Sequence, residues 1–287
     1  MVRRNVRIYF CGDLCDASGR RLQGEQGLKT MKIGAITTQL ALSLVFSCSW
    51  SGAQTSEPTL VLPPGTAIPI TFVHTLNSAK LKVGDAVITK TDQEILKPDG
   101  DRIPRGSELI GSVVNVGASP SSANPSLLAI KFDTLRVHGQ SFPLHVGLRA
   151  LASFADSYSS RSPAVDNGYP ETSVYRQVGG DYFYRNDVVY SNEWNEVGKS
   201  SDDGVFVKLE HIERVNSPNH AACYATETLQ SVGVFASSAC GVYGFQDLTI
   251  DNAGADDARV IKLHSTKHTL KIASGSTALL QVIRAAQ

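Results

Sequence analysis

Between residues 60 and 148, short apolar runs alternate with turn residues. Apolar side chains stand two apart in residues 68–72, 128–132 and 142–148, and in an extended chain such side chains share one face. The Asp-Gly pair at residues 99–100 falls between two of these runs, as turn residues do between antiparallel strands. The pattern therefore predicts a series of short β-strands.

Three apolar runs are preceded by a glycine and a hydroxyl residue. These pairs are Gly65-Thr66, Gly106-Ser107 and Gly275-Ser276. Glycine tolerates a positive φ, and a hydroxyl group can bond the local backbone. Each pair is therefore expected to form the turn that starts a strand.

More strands are expected after residue 204. Residues 204–210 alternate, and several short apolar segments follow between residues 248 and 283. Ser217-Pro218 is a helix-start signal, and residues 219–231 are rich in helix formers. The chain is therefore predicted to be mainly β, a barrel or closed β-sandwich of short strands with one short helix.

Residues 152–204 differ in composition from the strands around them. They are rich in Ser, Gly, Asn, Asp and Tyr and show little apolar periodicity, which predicts a long irregular excursion at the surface. Its aromatic side chains form a candidate binding surface for sugars or peptides, since rings supply contact area at low entropy cost. The candidates are Tyr182, Phe183, Tyr184, Tyr190 and Trp194. The alternative is that these rings only pack the loop onto the barrel.

The turns and strands of the first half also follow the order of a known family. The matching segments are residues 64–66, 76–78, 84–87, 103–111 and 132–135. They resemble the outer-membrane-channel β-barrel domain of conjugation and type IV secretion scaffold proteins, the TrbI-like family, and small secreted bacterial proteins similar to it. The resemblance implies a β-barrel of the cell envelope, closed by the strand that begins at residues 274–276.

The N-terminal part has a different pattern. Lys32 precedes an apolar stretch at residues 33–46, and the small residues 51–53 follow. This is the pattern of a signal peptide that is cleaved after Ala53, and the apolar stretch is short for a membrane span. We expect residues 31–53 to be a signal peptide and residues 1–30 to be an upstream extension without a structural role.

The domain assignment and the localisation follow from this pattern. Residues 54–151 are expected to form the first part of one β-domain, residues 152–204 its polar Tyr-rich excursion, and residues 205–287 its helix and closing strands. The protein is expected to be exported, to the periplasm or the extracellular space, with no transmembrane helix after cleavage. Lipidation of Cys48 is the alternative to cleavage after Ala53.

Cys223 and Cys240 are the two cysteines that follow the signal peptide. In an oxidising compartment they are expected to form a disulfide. A metal site with His220 is the alternative, but a fourth ligand is not evident. Cys11 and Cys15 also lack two further ligands for zinc.

The sequence contains no recognised catalytic set. We find no serine-hydrolase, zinc-protease or phosphate-loop motif. The 27 basic and 27 acidic residues balance and form no basic stripe, which argues against nucleic-acid binding. No catalytic residue, metal or cofactor is predicted.

The favoured function is therefore that of a non-enzymatic exported bacterial envelope protein, a β-barrel-like binding or scaffold domain. Its expected partner is a protein or polysaccharide of the envelope. The alternative is a secreted hydrolase that acts on cell-wall or extracellular polysaccharide. Glu193, Glu196 and Asp187 would be its candidate carboxylates.

Overall fold

The structure, a computed structural model, describes residues 60, 62–97, 99–118, 125–161, 173–212, 223–251 and 259–283. Several predicted features lie outside the described residues: the upstream extension, the signal peptide, Cys11, Cys15, Cys48, His220 and the first part of the expected helix. The described residues belong to one unit, residues 55–287.

Twenty strands and one helix are present in these residues. The first nine strands are β1 (Ala67–Phe72), β2 (Leu76–Asn77), β3 (Ala86–Thr91), β4 (Ile95–Leu96), β5 (Arg102–Ile103), β6 (Glu108–Gly117), β7 (Ser126–Val137), β8 (Gln140–Pro143) and β9 (Val146–Ala152). The helix α1 (Phe154–Ser159) follows. The later strands are β10 (Ser173–Gln177), β11 (Gly180–Arg185), β12 (Val188–Tyr190), β13 (Glu196–Ser201), β14 (Gly204–Val207), β15 (Gln230–Ser231), β16 (Gly241–Tyr243), β17 (Leu248–Asp251), β18 (Ile261–Ser265), β19 (Lys271–Ile272) and β20 (Thr277–Val282).

The larger sheet is a nearly closed barrel of ten strands. Its order is β16-β9-β20-β1-β3-β6-β7-β18-β17, and β8 pairs with β7. Neighbouring strands are antiparallel except for the pair of β16 and β9. The prediction of a mainly β, barrel-like chain is confirmed.

The barrel core is built from the alternating runs. Ile68, Ile70 and Phe72 of β1 are buried in one cluster with Ile130 of β7 and Leu280 of β20. Side chains that stand two apart point to the same side of a strand. The period of two that is visible in the sequence therefore marks the inside of the barrel.

The first two glycine–hydroxyl pairs form the turns expected of them, whereas the buried hydroxyl of Ser276 in the third pair has no hydrogen-bond partner in the described part of the chain. Gly65 and Gly106 have φ values of 92° and 86°, a region that glycine enters without steric cost. The hydroxyl of Thr66 donates to the carbonyl oxygen of Pro63 at 2.7 Å, and that of Ser107 donates to the carbonyl oxygen of Pro104 at 2.8 Å. Each of these two hydroxyls thus closes the turn that starts a strand.

The strands β10 to β15 form a second, antiparallel sheet in chain order. It resembles half a barrel. Residues 173–201 therefore differ from the expected irregular excursion. Their strands are only three to six residues long and are joined by polar turns, so the composition of the turns hides the alternation of the strands.

The second sheet packs on the outside of the barrel. Small barrel side chains, Ala67, Ala150 and Ala152, share a buried cluster with Val189 of β12 and Phe235. Small residues let two layers approach closely while apolar area leaves water. Barrel strands β1 and β9 are consequently buried on both faces.

Residues 223–231 do not form the helix that the sequence predicts. Cys223 and Ile212 exchange two backbone hydrogen bonds, of 2.9 and 3.0 Å. Gln230 lies in β15, and its side-chain oxygen accepts from the amide of Ala67 at 2.9 Å. These tertiary contacts override the weak helix propensity of the segment.

The observed helix is α1, directly after β9. The hydroxyl of Ser153 accepts from the amide of Asp156 at 3.2 Å, which caps the first turn. No helix of the described residues is long and apolar enough to cross a membrane.

Candidate binding site

The five aromatic candidates lie on two different faces of the second sheet. Tyr182 and Tyr184 point to the buried side, where Tyr182 is 1% exposed and Tyr184 packs at the edge of the cluster. Phe183, between them, points to the opposite side and stacks on Trp194, with ring centroids 4.5 Å apart. Tyr190 lies beside this pair, 6.4 Å from Trp194. The structure thus brings Tyr190 and Trp194 together and separates them from Tyr182 and Tyr184.

Phe183 lies apart from its two neighbouring tyrosines because the three alternate along β11, and in a strand the middle residue of three faces away from its neighbours. We call Phe183, Tyr190 and Trp194 the aromatic surface.

The aromatic surface depends on the turn at residues 191–195. The amide of Trp194 donates to the carbonyl oxygen of Ser191, and the amide of Ser191 donates to that of Asn195, both at 2.9 Å. Asn192 fixes the turn to β11, because its side-chain oxygen accepts from the amide of Asp181 at 3.0 Å.

Trp194 adopts an uncommon backbone conformation. Its φ is 62°, in the left-handed region that bulky residues rarely enter and that costs free energy. The stacking contact with Phe183 offsets part of that cost. The indole ring is held in place while it stays 50% exposed.

A polar cleft of about 410 Å³ lies on the other side of the same turn. Its lining includes the carboxylates of Asp181, Glu193 and Glu210, and no Lys, Arg or His is among the described lining residues. Tyr182 and Ser237 also line it. We call this site the acidic cleft.

Three of these side chains meet inside the acidic cleft. The hydroxyl of Ser237 donates to a carboxylate oxygen of Glu210. The hydroxyl of Tyr182 lies beside Ser237 but makes no hydrogen bond of normal geometry within the described residues. Burial raises the pKa of Tyr182 strongly, the polar groups of Ser237 lower it in part, and Tyr184 and Glu210 raise it further. The Tyr182 hydroxyl is therefore protonated and able to donate.

Arg149 supports the wall of the acidic cleft from the barrel side. It is 2% exposed, and burial lowers the pKa of its guanidinium to about 10, so the group is charged at neutral pH. Its donors contact backbone carbonyl oxygens at 2.7 to 3.1 Å. The acceptors are Ala239, Tyr224, Glu210 and Ser237.

Sequence reasoning missed Arg149. A single arginine inside the apolar strand 146–152 was the available signal, because arginine is almost never fully buried without partners. Its partners are carbonyls of distant loops, which no local pattern reveals.

Cys223 and Cys240 lie next to this wall. Their Sγ atoms are at bonding distance, 2.04 Å, and their Cα atoms are 6.0 Å apart, within the range of a disulfide. Sulfurs bonded to each other cannot act as metal-binding thiolates. No group of His, Cys, Asp or Glu in the described chain could hold a metal ion.

The carboxylates proposed for a hydrolase are not brought together. Glu193 lines the acidic cleft, whereas Asp187 and Glu196 are exposed side chains outside its lining. A glycosidase needs two carboxylates that flank the scissile bond. The set Asp187, Glu193 and Glu196 does not supply that arrangement.

A second cavity, of about 360 Å³, contains Asp247, Ser265 and His268. The hydroxyl of Ser265 donates to Asp247, and Nδ1 of His268 lies 3.0 Å from the other Asp247 oxygen. In a nucleophile–base pair the serine would bond the histidine, so these contacts instead stabilise the turn after β18.

Comparison of the chain with family models, with curated proteins and with solved structures returned no match. Exposed stacked rings can cover the flat face of a sugar, and clustered hydroxyl, amide and carboxylate groups can bond its substituents.

Proposed function

We propose that the chain is a non-enzymatic exported bacterial envelope protein whose β-domain binds an envelope polysaccharide at the turn 191–195. One observation carries the proposal. Trp194 remains half exposed in a strained backbone conformation while its ring stacks on Phe183. Strain that is retained next to an exposed aromatic ring is typical of a binding surface.

The surroundings of Trp194 support binding of a polymer. The aromatic surface and the acidic cleft share the turn 191–195 as a common rim. A chain of sugars that crosses the rim would contact rings on one side and polar side chains on the other. Sites of this kind combine apolar contact area with a few polar groups that fix orientation.

Export is supported by the sequence pattern before Gln54 and by the cysteine pair. A disulfide forms and persists in oxidising compartments, and Cys223 and Cys240 lie at bonding distance. N-terminal sequencing of protein from the native envelope should give Gln54 as the first residue. An intact Met1 or Met31 would contradict export with cleavage.

Trp194 also provides the test of binding. The chain has two tryptophans, Trp50 and Trp194, and cleavage after Ala53 removes Trp50, so the indole at the proposed site is the reporter in the mature protein. Envelope polysaccharide should change the emission of Trp194 and be retained by the immobilised protein.

Substitution then locates the site. Trp194→Ala should weaken binding about tenfold, as loss of a central aromatic contact does. Phe154→Ala is the matched control, because Phe154 is an equally exposed ring, 51%, on α1. Equal binding by Trp194→Ala and the unchanged protein would contradict the proposal. Release of new reducing ends, lost in Glu193→Gln, would instead favour the polysaccharide hydrolase.

A further inference from the structure

The described lining of the acidic cleft carries negative charge. Asp181, Glu193 and Glu210 line it without a basic residue among the described lining. Arg149 lies behind the wall, where its donors bond backbone carbonyl oxygens and its charge acts on Glu210, so Asp181 and Glu193 are the carboxylates without a cation in the lining. A cleft with this charge attracts cations and disfavours acidic polymers.

A buried polar group independently indicates a ligand. The hydroxyl of Tyr182 is buried and lacks a hydrogen bond of normal geometry within the described chain. It lies beside Ser237 and close to Glu210, which both line the cleft. Buried polar groups in proteins are almost always satisfied, so a bound molecule that offers an acceptor would complete this site.

The size and lining of the cleft fit sugar rings. Its volume of about 410 Å³ lies at the small end of ligand sites. Its polar side chains are short and varied: Ser191, Asn192, Asn195, Ser237 and Ser238. Such groups match ring hydroxyls, which act as both donors and acceptors.

From these observations we infer that the acidic cleft selects a polysaccharide with free amino groups, so that a primary ammonium lies among Asp181, Glu193 and Glu210. The inference rests on the proposed polysaccharide binding and names its substrate class. A neutral acetamide at the same ring position would leave the carboxylates without a cation. Specificity then follows from the charge of one substituent.

Two oligosaccharides with the same backbone test this selection. Calorimetry compares the β-1,4-linked hexamer of glucosamine with that of N-acetylglucosamine on the full mature protein. The glucosamine hexamer should bind about tenfold more tightly, and salt should reduce its affinity more than that of the acetylated hexamer, since ion pairs at a partly exposed site are screened.

Single substitutions identify the groups that recognise the ammonium. Glu210→Gln and Glu193→Gln should each lower the preference for glucosamine about tenfold, because each removes a charge and keeps the side-chain shape. Glu196→Gln is the matched control: its carboxylate is on β13, close in sequence but outside the cleft lining. It should leave the preference unchanged.

Tyr182→Phe separates recognition from folding. Removal of an unsatisfied buried hydroxyl should leave the resistance to urea unchanged or increased, whereas the affinity for the glucosamine hexamer should fall. If the tyrosine has a purely structural role, the resistance to urea should fall and the affinity for the glucosamine hexamer should stay unchanged.

The outcomes distinguish this inference from the proposed function. Equal affinity for both hexamers would overturn the inference while polysaccharide binding stands. Binding of polylysine with the same dependence on Glu210 would also overturn it, because the cleft would then recognise any amine. Failure to bind any envelope polysaccharide would overturn the proposed function as well.

Discussion

The guanidinium of Arg149 donates to the backbone carbonyl oxygen of Glu210 at 2.8 Å, while the carboxylate of Glu210 accepts from Ser237. Glu210 is thus held through its backbone by an arginine of the barrel, while its side chain lines the acidic cleft. Because the arginine is on β9, the barrel directly positions the wall of the acidic cleft.

Replacement of Arg149 should destabilise the protein strongly. Arg149→Met keeps the apolar stem but leaves buried carbonyl oxygens without donors, each a loss of 1–3 kcal/mol by rough estimate. We expect the free energy of unfolding to fall by about 3 kcal/mol in urea titrations. Arg136→Met is the control, because Arg136 forms a half-exposed ion pair with Glu108 of the kind that contributes less than about 1 kcal/mol. Similar losses in both variants would contradict the role of Arg149.

The bond between Cys223 and Cys240 should be measurable by thiol counting. Mature protein, purified without reductant and denatured, should show no free thiol at either position. The sequence separation is 17 residues, for which chain entropy gives a stabilisation of about 3 kcal/mol. A Cys223→Ser, Cys240→Ser double variant should lose about that much stability, and two reactive thiols in the unreduced protein would refute the bond.

The sequence predicted the barrel because large apolar side chains recur two residues apart in its strands. At 68–72 and 128–132 the alternation of side chains is direct, and these residues form β1 and part of β7. The turns at Gly65 and Gly106 were equally visible, since only glycine enters that backbone region without cost.

The second sheet and the cleft were harder to predict from the sequence. Strand β12 has three residues, which is too short for a reliable period. The acidic cleft joins Asp181 to Glu210 and Ser237, and such distant positions become neighbours only when the second sheet forms. The expected helix at 219–231 was wrong over residues 223–231, because pairing with Ile212 outweighs local propensity.

Gly198 should be irreplaceable in the second sheet. A Cβ at this position would lie 2.0 Å from the carbonyl oxygen of Phe206 on the neighbouring strand. Gly198→Ala should therefore separate β13 from β14 and lower the free energy of unfolding by about 2 kcal/mol or more. Gly117→Ala is the control, since its Cβ would meet atoms only at 3.7 Å and beyond. If urea denaturation shows equal stability for the two variants, the packing described for β13 is incorrect.

Asp247 should make the stability depend on pH in the acid range. Burial disfavours its charge, but hydrogen bonds from Ser265, His268 and the amide of Lys267 outweigh burial and lower its pKa to about 2, from 3.8. The unfolded chain therefore binds a proton more readily than the folded one, and the stabilisation is complete above pH 3.8 and is lost as the pH falls toward 2.

Asp247→Asn should remove about 1 kcal/mol at neutral pH, a value reduced for solvent screening, and should flatten the stability between pH 4 and 2. Glu196→Gln, an exposed carboxylate, is the control and should leave that slope unchanged. Urea titrations at several pH values decide it: an unchanged slope in Asp247→Asn would show that this carboxylate does not stabilise the turn.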